Sequence, residues 1–224
     1  MKKSILFIFT ACFLFTTSCF DFLDEEHKTK YSSEYVFGTP EGLKLAVNAL
    51  YALQRYYAND TENATIFALE RGTDLAVTNG GTGNFYGIYD PNYLKPSASQ
   101  VGFMWRTMYQ IIGKANEIIA AAEDLEDTPS LRATVSEAKC FRAQSYFLLY
   151  RTFDRIWLNI QPTTAENVND PRDFHAASEK EVFDLIYEDL EYAITNLDWV
   201  SDEAGRFTQA AARHMKAKAA LWLK

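Results

Sequence analysis

Residues 128–153 of this 224-residue chain read TPSLRATVSEAKCFRAQSYFLLYRTF. Thr128 and Pro129 are typical of a helix start, because a threonine hydroxyl caps the first turn and proline suits the first helical position. The apolar residues that follow recur at helical spacing and include Val135, Ala138, Phe141, Leu148, Leu149 and Phe153. They occupy more than one side of the predicted helix, which is typical of a helix packed between neighbours. We therefore expect this helix to pack between neighbouring helices.

Helix patterns also precede this stretch. Thr39 and Pro40 repeat the capped start and begin a helix with apolar residues at three- and four-residue spacing. A shorter helix is expected over residues 64–70. A stripe of apolar residues from Trp105 to Ala122 predicts a helix of about five turns.

Two more helices are predicted after it. Ser178 and Glu181 form a capping box at the start of an amphipathic helix that runs to Leu197. Thr208 caps a last helix that reaches the end of the sequence. No strand pattern of comparable length occurs in the sequence. The helices fall into antiparallel pairs with unequal loops, so residues 39–224 are predicted to form an all-α domain, an irregular tetratricopeptide-like helical array with long loops.

The first 18 residues are predicted to be a secretory signal peptide. Lys2 and Lys3 precede an apolar run and a small hydroxylated segment, which is the layout of such signals. The run is shorter than the roughly 20 apolar residues that span a bilayer. Cys19 follows directly and is similar to the lipidation site of a bacterial lipoprotein, so we expect it to become the acylated mature N-terminus. Residues 19–38 lack a helical period and are predicted to be an acidic, extended tether.

Composition limits the function classes. Removing the signal peptide leaves 206 of the 224 residues and takes the formal net charge from −8 to −10, since two lysines leave with it. An anionic surface repels a phosphate backbone, so nucleic acid is not an expected partner. Of the three cysteines, Cys12 leaves with the signal and Cys19 is the predicted anchor. Cys140 then has no disulfide partner and is expected to be buried.

A long loop is predicted from Val77 to Gln100, because glycine, proline and asparagine interrupt any regular period. Loops of this length are usually functional or disordered. Aromatic rings pack on the apolar faces of a sugar, while carboxylates and amides hydrogen-bond its hydroxyls. The candidate ligand-binding residues are Asp74, Asn84, Phe85, Tyr86, Tyr89 and Asp90. The alternative is a loop whose aromatic side chains pack back onto the helices.

Catalysis and metal binding have little support in the sequence. Glu70, Asp74 and Asp90 can be cast as the acid and base of a glycosidase, but sequence spacing does not fix their separation. Thirty acidic residues also produce such pairs by chance. The three histidines lie far apart, without zinc-ligand spacing. We expect no enzymatic activity, no cofactor and no metal. Trp157 and Trp199, near helix ends, are compatible with either a core position or a ligand platform.

Six segments, in this order, resemble the SusD/RagB family of outer-membrane nutrient-binding lipoproteins. They are GLKLAVNALYALQ (42–54), FALERGTDLAV (67–77), WRTMYQIIGKANEII (105–119), EAKCFRAQSYFLLYRTF (137–153), SEKEVFDLIYEDLEYAITNL (178–197) and GRFTQAAARHMKAKAALWL (205–223). The fourth segment carries the arginine-alanine pair of the family, Arg142 and Ala143. From the first to the last, the segments span residues 42–223, nearly the whole length of the predicted mature chain.

The resemblance implies a lipid-anchored protein on the outer face of the outer membrane. Such proteins cover a TonB-dependent barrel transporter and hold an oligosaccharide or, in some members, a peptide for import, without catalysis. The run DFLDEE, residues 21–26, is similar to the surface-export signal of such lipoproteins; otherwise it is a solvated linker. The remaining alternative is a tetratricopeptide-like interaction scaffold without a ligand.

The sequence departs from the family in two respects. After the arginine-alanine helix, the family pattern has a glycine, an acidic residue and a proline, whereas residues 153–158 here read FDRIWL. Family members also continue for a second half that is at least as long. The last predicted helix here carries Ala220, Leu221 and Trp222 on an apolar face, so we expect this chain to be the N-terminal part of a longer protein.

Overall fold

The computed structural model describes residues 31–59, 95, 99–164, 166–171 and 174–223. From Ser33 onward these residues belong to one compact unit. Its helices are α1 (Ser33–Gly38), α2 (Pro40–Asn59), α3 (Ser99–Ala122), α4 (Pro129–Phe153), α5 (Glu179–Asn196) and α6 (Gln209–Trp222). No strand occurs in these ranges, and the all-α prediction is confirmed. None of the helices described here is both long and apolar enough to cross a membrane.

The central helix of the array is α4, as its apolar pattern predicts. It contacts α2, α3, α5 and α6. Thr128 Oγ1 accepts a hydrogen bond from the Leu131 N–H at 3.1 Å, which caps the first turn. The buried side chains of α4 include Leu131, Val135, Ala138, Cys140, Phe141, Ala143, Tyr146 and Leu149. Cys140 is a free thiol in this core, as expected, and burial raises its pKa.

The predicted starts of α5 and α6 are also confirmed. Ser178 Oγ accepts a hydrogen bond from the Glu181 N–H at 3.3 Å, and Glu181 Oε2 accepts one from the Ser178 N–H at 2.8 Å. Thr208 Oγ1 accepts from the Ala211 N–H at 3.2 Å. Each bond satisfies a backbone donor that the first turn of a helix leaves without an intrahelical partner.

Neighbouring long helices run antiparallel, because the end of one meets the start of the next. Four contacts show this arrangement: Tyr57 with Phe103, Trp105 with Phe153, Tyr150 with Phe183, and Gln209 with Ile194. The last turns of α2 and α4 therefore lie beside the first turns of α3 and α5. We call this region the aromatic end of the array, and the region where α5 ends and α6 begins the opposite end.

A polar cluster of Tyr51, Glu137 and Arg206 joins helices toward the opposite end. The Tyr51 hydroxyl donates to Glu137 Oε2 and accepts from the Phe207 N–H at 2.7 Å. Arg206 Nη1 lies 3.2 Å from Glu137 Oε2, and both side chains are almost buried. Burial raises the pKa of the Glu137 carboxyl, although Tyr51 and Arg206 act in the other direction. The cluster attaches the segment before α6 to both α2 and α4.

The expectation of an extended tether over residues 19–38 is wrong for its last part, which forms α1. Thr39 connects α1 to α2, since its hydroxyl donates to the Tyr35 carbonyl at 2.8 Å and accepts from the Gly42 N–H at 3.0 Å. A six-residue helix is too short to show a helical period. It forms against α2, so closely that a Cβ on Gly42 would lie 2.2 Å from the Tyr35 carbonyl oxygen.

The start of α3 also differs from the expectation. The helix begins at Ser99, so Ser99 and Gln100 do not belong to the predicted loop, and its first turns precede the predicted stripe. Met104 is buried, and the Phe103 ring packs on Tyr56 at 5.7 Å. These contacts with α2 extend the helix beyond its own apolar pattern. The helix expected over residues 64–70 lies outside the described residues.

The turn after α4 is strained, which agrees with the departure from the family pattern there. Asp154 has φ 61° and ψ −52°, a combination that a residue with a Cβ rarely adopts. The Arg155 N–H donates to the Phe153 carbonyl at 2.6 Å across it. Such a γ-turn is rare and costs about 1–3 kcal/mol in strain.

Two glycine substitutions test the packing of α1 on α2. We expect Gly42→Ala to lower the free energy of unfolding by about 2 kcal/mol, because the new Cβ would overlap the α1 backbone. Gly113→Ala, inside α3, is the matched control, since a Cβ there has no neighbour within 4 Å. It should raise the free energy of unfolding by about 1 kcal/mol through helix propensity. Urea unfolding followed by circular dichroism measures both free energies. Equal changes in the two variants would contradict the close contact between α1 and α2.

Candidate functional site at the aromatic end

Five aromatic rings from three parts of the chain meet at the aromatic end. Trp105 and Tyr109 of α3 lie 4.8 Å apart, and Trp105 packs on Phe153 of α4 at 5.0 Å. Tyr109 stacks on Trp157 at 6.4 Å, and Trp157 contacts Phe174 at 4.8 Å. We call these five residues the aromatic cluster. Its outermost ring, Phe174, is 70% exposed, so the cluster extends from the core to the surface.

A hydrogen bond joins the two ends of the connection from α4 to α5, residues 154–178. The Ala177 N–H donates to the Ile156 carbonyl at 2.8 Å. The Tyr109 hydroxyl accepts from the Trp157 N–H at 2.9 Å and donates to the Trp157 carbonyl at 2.8 Å. Burial raises the pKa of this hydroxyl, so it keeps the proton that it donates. Both backbone polar groups of Trp157 are thereby satisfied by one side chain.

The next residues of this α4–α5 loop are held in the same way. The Tyr146 hydroxyl donates to the Asn159 carbonyl and accepts from the Asn159 N–H, both at 2.8 Å. Asn116 Nδ2 donates to the Asn159 carbonyl at 2.7 Å and approaches the Gln161 carbonyl at 3.5 Å. Burial raises the pKa of the Tyr146 hydroxyl as well. Side-chain hydrogen bonds from α3 and α4 therefore hold residues 157–161 against these two helices.

A buried ion pair positions Asn116, one of these hydrogen-bond donors. Arg142 Nε and Nη2 donate to the two carboxylate oxygens of Asp189 at 2.8 and 2.7 Å. Lys139 Nζ lies 2.9 Å from the same carboxylate. Arg142 Nη1 donates to Asn116 Oδ1 at 2.9 Å. Burial alone would lower the pKa of Arg142, but the hydrogen bonds and charge of Asp189 hold it above its ordinary value.

The predicted site residues are not among those that the structure describes. Cys19 and the candidate ligand-binding residues all lie outside the described ranges: Asp74, Asn84, Phe85, Tyr86, Tyr89 and Asp90. However, α2 ends and α3 begins at the aromatic end. The segment that carries the candidate ligand-binding residues is therefore joined to the aromatic end on both sides.

The sequence left open whether Trp157 is a core residue or a ligand platform. It did not single out Tyr109, Asn116 or Tyr146. Trp157 is half-buried on Tyr109, whereas Trp199 is 62% exposed beyond the end of α5. A signal for two of the missed residues was present, since Tyr109 and Asn116 lie seven positions apart and so share a face of α3. In the described ranges no group of three metal-ligating side chains occurs.

An array of helices that fixes aromatic rings at one end is suited to binding a ligand by ring stacking. The chain belongs to the SusD-like family, whose description is "Starch-binding associating with outer membrane". The family model matches residues 21–221, which include all six described helices except the last residue of α6, Trp222. The resemblance of the six sequence segments is thereby confirmed.

Individual relatives agree with this membership. A SusD-like protein of Bacteroides ovatus is 28% identical over 97% of this chain and 39% of its own length. A SusD superfamily structure from Parabacteroides distasonis has a TM-score of 0.70 at 22% identity, covering 86% of this chain and 40% of that one. A laminarin-binding SusD-like protein has a TM-score of 0.65 at 24% identity, over 82% and 40%. The two structures establish the fold, and this chain spans about two fifths of each relative's length.

Removing one carboxylate tests the support beneath the α4–α5 loop. Asp189→Ala leaves the Arg142 guanidinium buried without its partner, so we expect the free energy of unfolding to fall by about 3–5 kcal/mol. Asp184→Ala on the same helix removes a carboxylate from an exposed pair with Lys180, whose side chains are 61% and 83% exposed. It should change the free energy by less than about 0.5 kcal/mol. Urea unfolding measures both free energies. Similar decreases in the two variants would contradict a larger contribution of the buried ion pair to stability.

Proposed function

We propose that the protein is a non-catalytic outer-membrane lipoprotein that binds a nutrient oligosaccharide and delivers it to a TonB-dependent barrel transporter. The family match over residues 21–221 carries this proposal, because the family is described as starch-binding and associated with the outer membrane. A relative with the same fold is described as laminarin-binding, which supports a glycan as the ligand class.

The proposed ligand face combines a loop with a rigid base. The loop from Val77 to Gln100, together with Asp74, supplies aromatic rings, amides and carboxylates that suit a sugar. The aromatic end supplies the base to which this segment is joined. The outer surfaces of the helices are proposed to dock the transporter, because helical arrays offer extended surfaces for protein contacts.

Membrane attachment is proposed to depend on lipidation of Cys19. A single acyl chain holds a protein only marginally, so firm attachment requires more than one chain. The acidic residues at 21–26 are proposed to direct the protein to the outer face of the membrane.

Glycan binding is tested by native electrophoresis of the full-length mature protein in gels that contain laminarin or starch. We expect slower migration than in gels without polysaccharide. Replacing Phe85, Tyr86 and Tyr89 together by alanine should weaken retention by the polysaccharide, measured as slowed migration, by about tenfold. A few aromatic residues dominate the affinity of such sites. Trp199→Ala is the control, because that exposed ring lies at the opposite end. Migration that neither polysaccharide slows would refute the proposed function.

The same samples test the absence of catalysis. We expect no new reducing ends after incubation with either polysaccharide. New reducing ends that disappear in Asp74→Asn or Asp90→Asn variants would show a glycosidase instead, because that chemistry needs a pair of carboxyl groups.

Lipidation is tested by fatty-acid labelling in cells. Cys19→Ala should abolish the label and release the protein from the membrane fraction. Cys12→Ala is the matched control, since this residue is predicted to leave with the signal peptide and its loss should preserve the label. Continued labelling of the Cys19→Ala variant would contradict the proposed anchor.

A further inference from the structure

Phe174 and Trp157 form an aromatic pair at the surface, in which Phe174 is exposed and Trp157 is half-buried. The ring centres lie 4.8 Å apart and the ring planes make an angle of 55°. Trp157 also stacks on Tyr109, with an angle of 25° between the planes. The indole is therefore supported by α3, and Phe174, at 70% exposure, extends the aromatic surface outward. Single exposed apolar side chains are common, so the pairing of this ring with Trp157, and not its exposure alone, makes it a candidate contact surface.

This surface is preformed. The Tyr109 hydroxyl holds both the N–H and the carbonyl of Trp157. The hydrogen bond from Ala177 to Ile156 closes the loop base close to both rings. Because stacking on Tyr109 and the two backbone hydrogen bonds hold Trp157 before any ligand arrives, binding to this ring costs less conformational entropy than it would on a mobile loop.

The position of the surface matches that of the proposed ligand face. Trp157 packs on α3, and Trp105 in the first turns of α3 packs on Phe153 at the end of α4. The segment with the candidate ligand-binding residues joins α3 at Ser99, at this same end. The surface and the covalent attachment of that segment therefore lie at the same end of the array.

The chemistry of the loop fits a neutral sugar. A pyranose ring presents C–H groups on its faces and hydroxyls at its edges, which suit aromatic faces and hydrogen-bonding groups respectively. The indole has its own N–H donor. The loop between the two rings also carries the amide side chains of Gln161 and Asn169, whereas the Asn167 side chain bonds the Thr164 N–H and the Pro162 carbonyl within the loop.

We infer that Trp157 and Phe174 form a sugar-stacking surface that binds one neutral pyranose unit of the oligosaccharide. This inference rests on the proposed glycan binding and adds two residues from the α4–α5 loop to the ligand face. The six candidate residues in and before the Val77–Gln100 loop do not include them.

The test uses the full-length mature protein and whichever of laminarin and starch slows the wild type. Trp157→Ala should weaken retention by about tenfold and Phe174→Ala by about threefold, the scale expected for loss of an aromatic contact. Phe174→Ala removes a mostly exposed side chain, so its thermal unfolding should match the wild type. Trp199→Ala applies the same kind of truncation to an exposed indole at the opposite end and should bind like the wild type.

A spectroscopic measurement reports on the contact directly. Trp157→Phe keeps a flat ring but removes the indole, so the change in tryptophan fluorescence on adding polysaccharide should be lost while most of the retention persists. Retention by Trp157→Ala and Phe174→Ala that equals the wild type would overturn this inference and leave the proposed function intact. A wild type that neither polysaccharide slows would remove both the proposed function and this inference.

Discussion

The bidentate ion pair between Arg142 and Asp189 fixes the register of α4 and α5. Taking a guanidinium and a carboxylate out of water costs several kcal/mol, and only close, fully hydrogen-bonded geometry offsets that cost. Their hydrogen bonds of 2.8 and 2.7 Å meet this condition. A shift of α5 by one turn, about 5.4 Å, would break both hydrogen bonds and leave the buried Arg142 guanidinium without its carboxylate. One arrangement of the two helices is therefore strongly favoured over its neighbours.

The same arginine connects helix packing to the surface. Its third hydrogen bond orients the Asn116 side chain, whose amide holds the Asn159 carbonyl. The position of residues 157–161 in the α4–α5 loop thus depends on side chains of α3 and α4. Tyr109 adds a second attachment at Trp157. A side chain placed in this way has its geometry set before it meets a ligand, which is the condition for efficient binding by a small number of rings.

Local signals were sufficient to predict most helices, because a cap depends on a few neighbouring residues, as at Thr128, Ser178 and Thr208. They were insufficient for α1 and the first turns of α3, which form through contacts with α2. The pairing of Arg142 with Asp189 was not predictable, since the partners are 47 residues apart and thirty acidic residues compete for the role. The aromatic cluster was missed for the same reason, because its members come from separate elements. The candidate ligand loop remains a prediction.

The hydrogen bond between Ala177 and Ile156 has an evolutionary consequence. Because it brings the two ends of the α4–α5 loop together, the residues between them can change in number without moving α4 relative to α5. Doubling the length of such a loop costs only about 0.6 kcal/mol in closure entropy. Insertions and deletions beyond the hydrogen-bonded residues 157–161 are therefore expected to leave the helical framework of this chain unchanged.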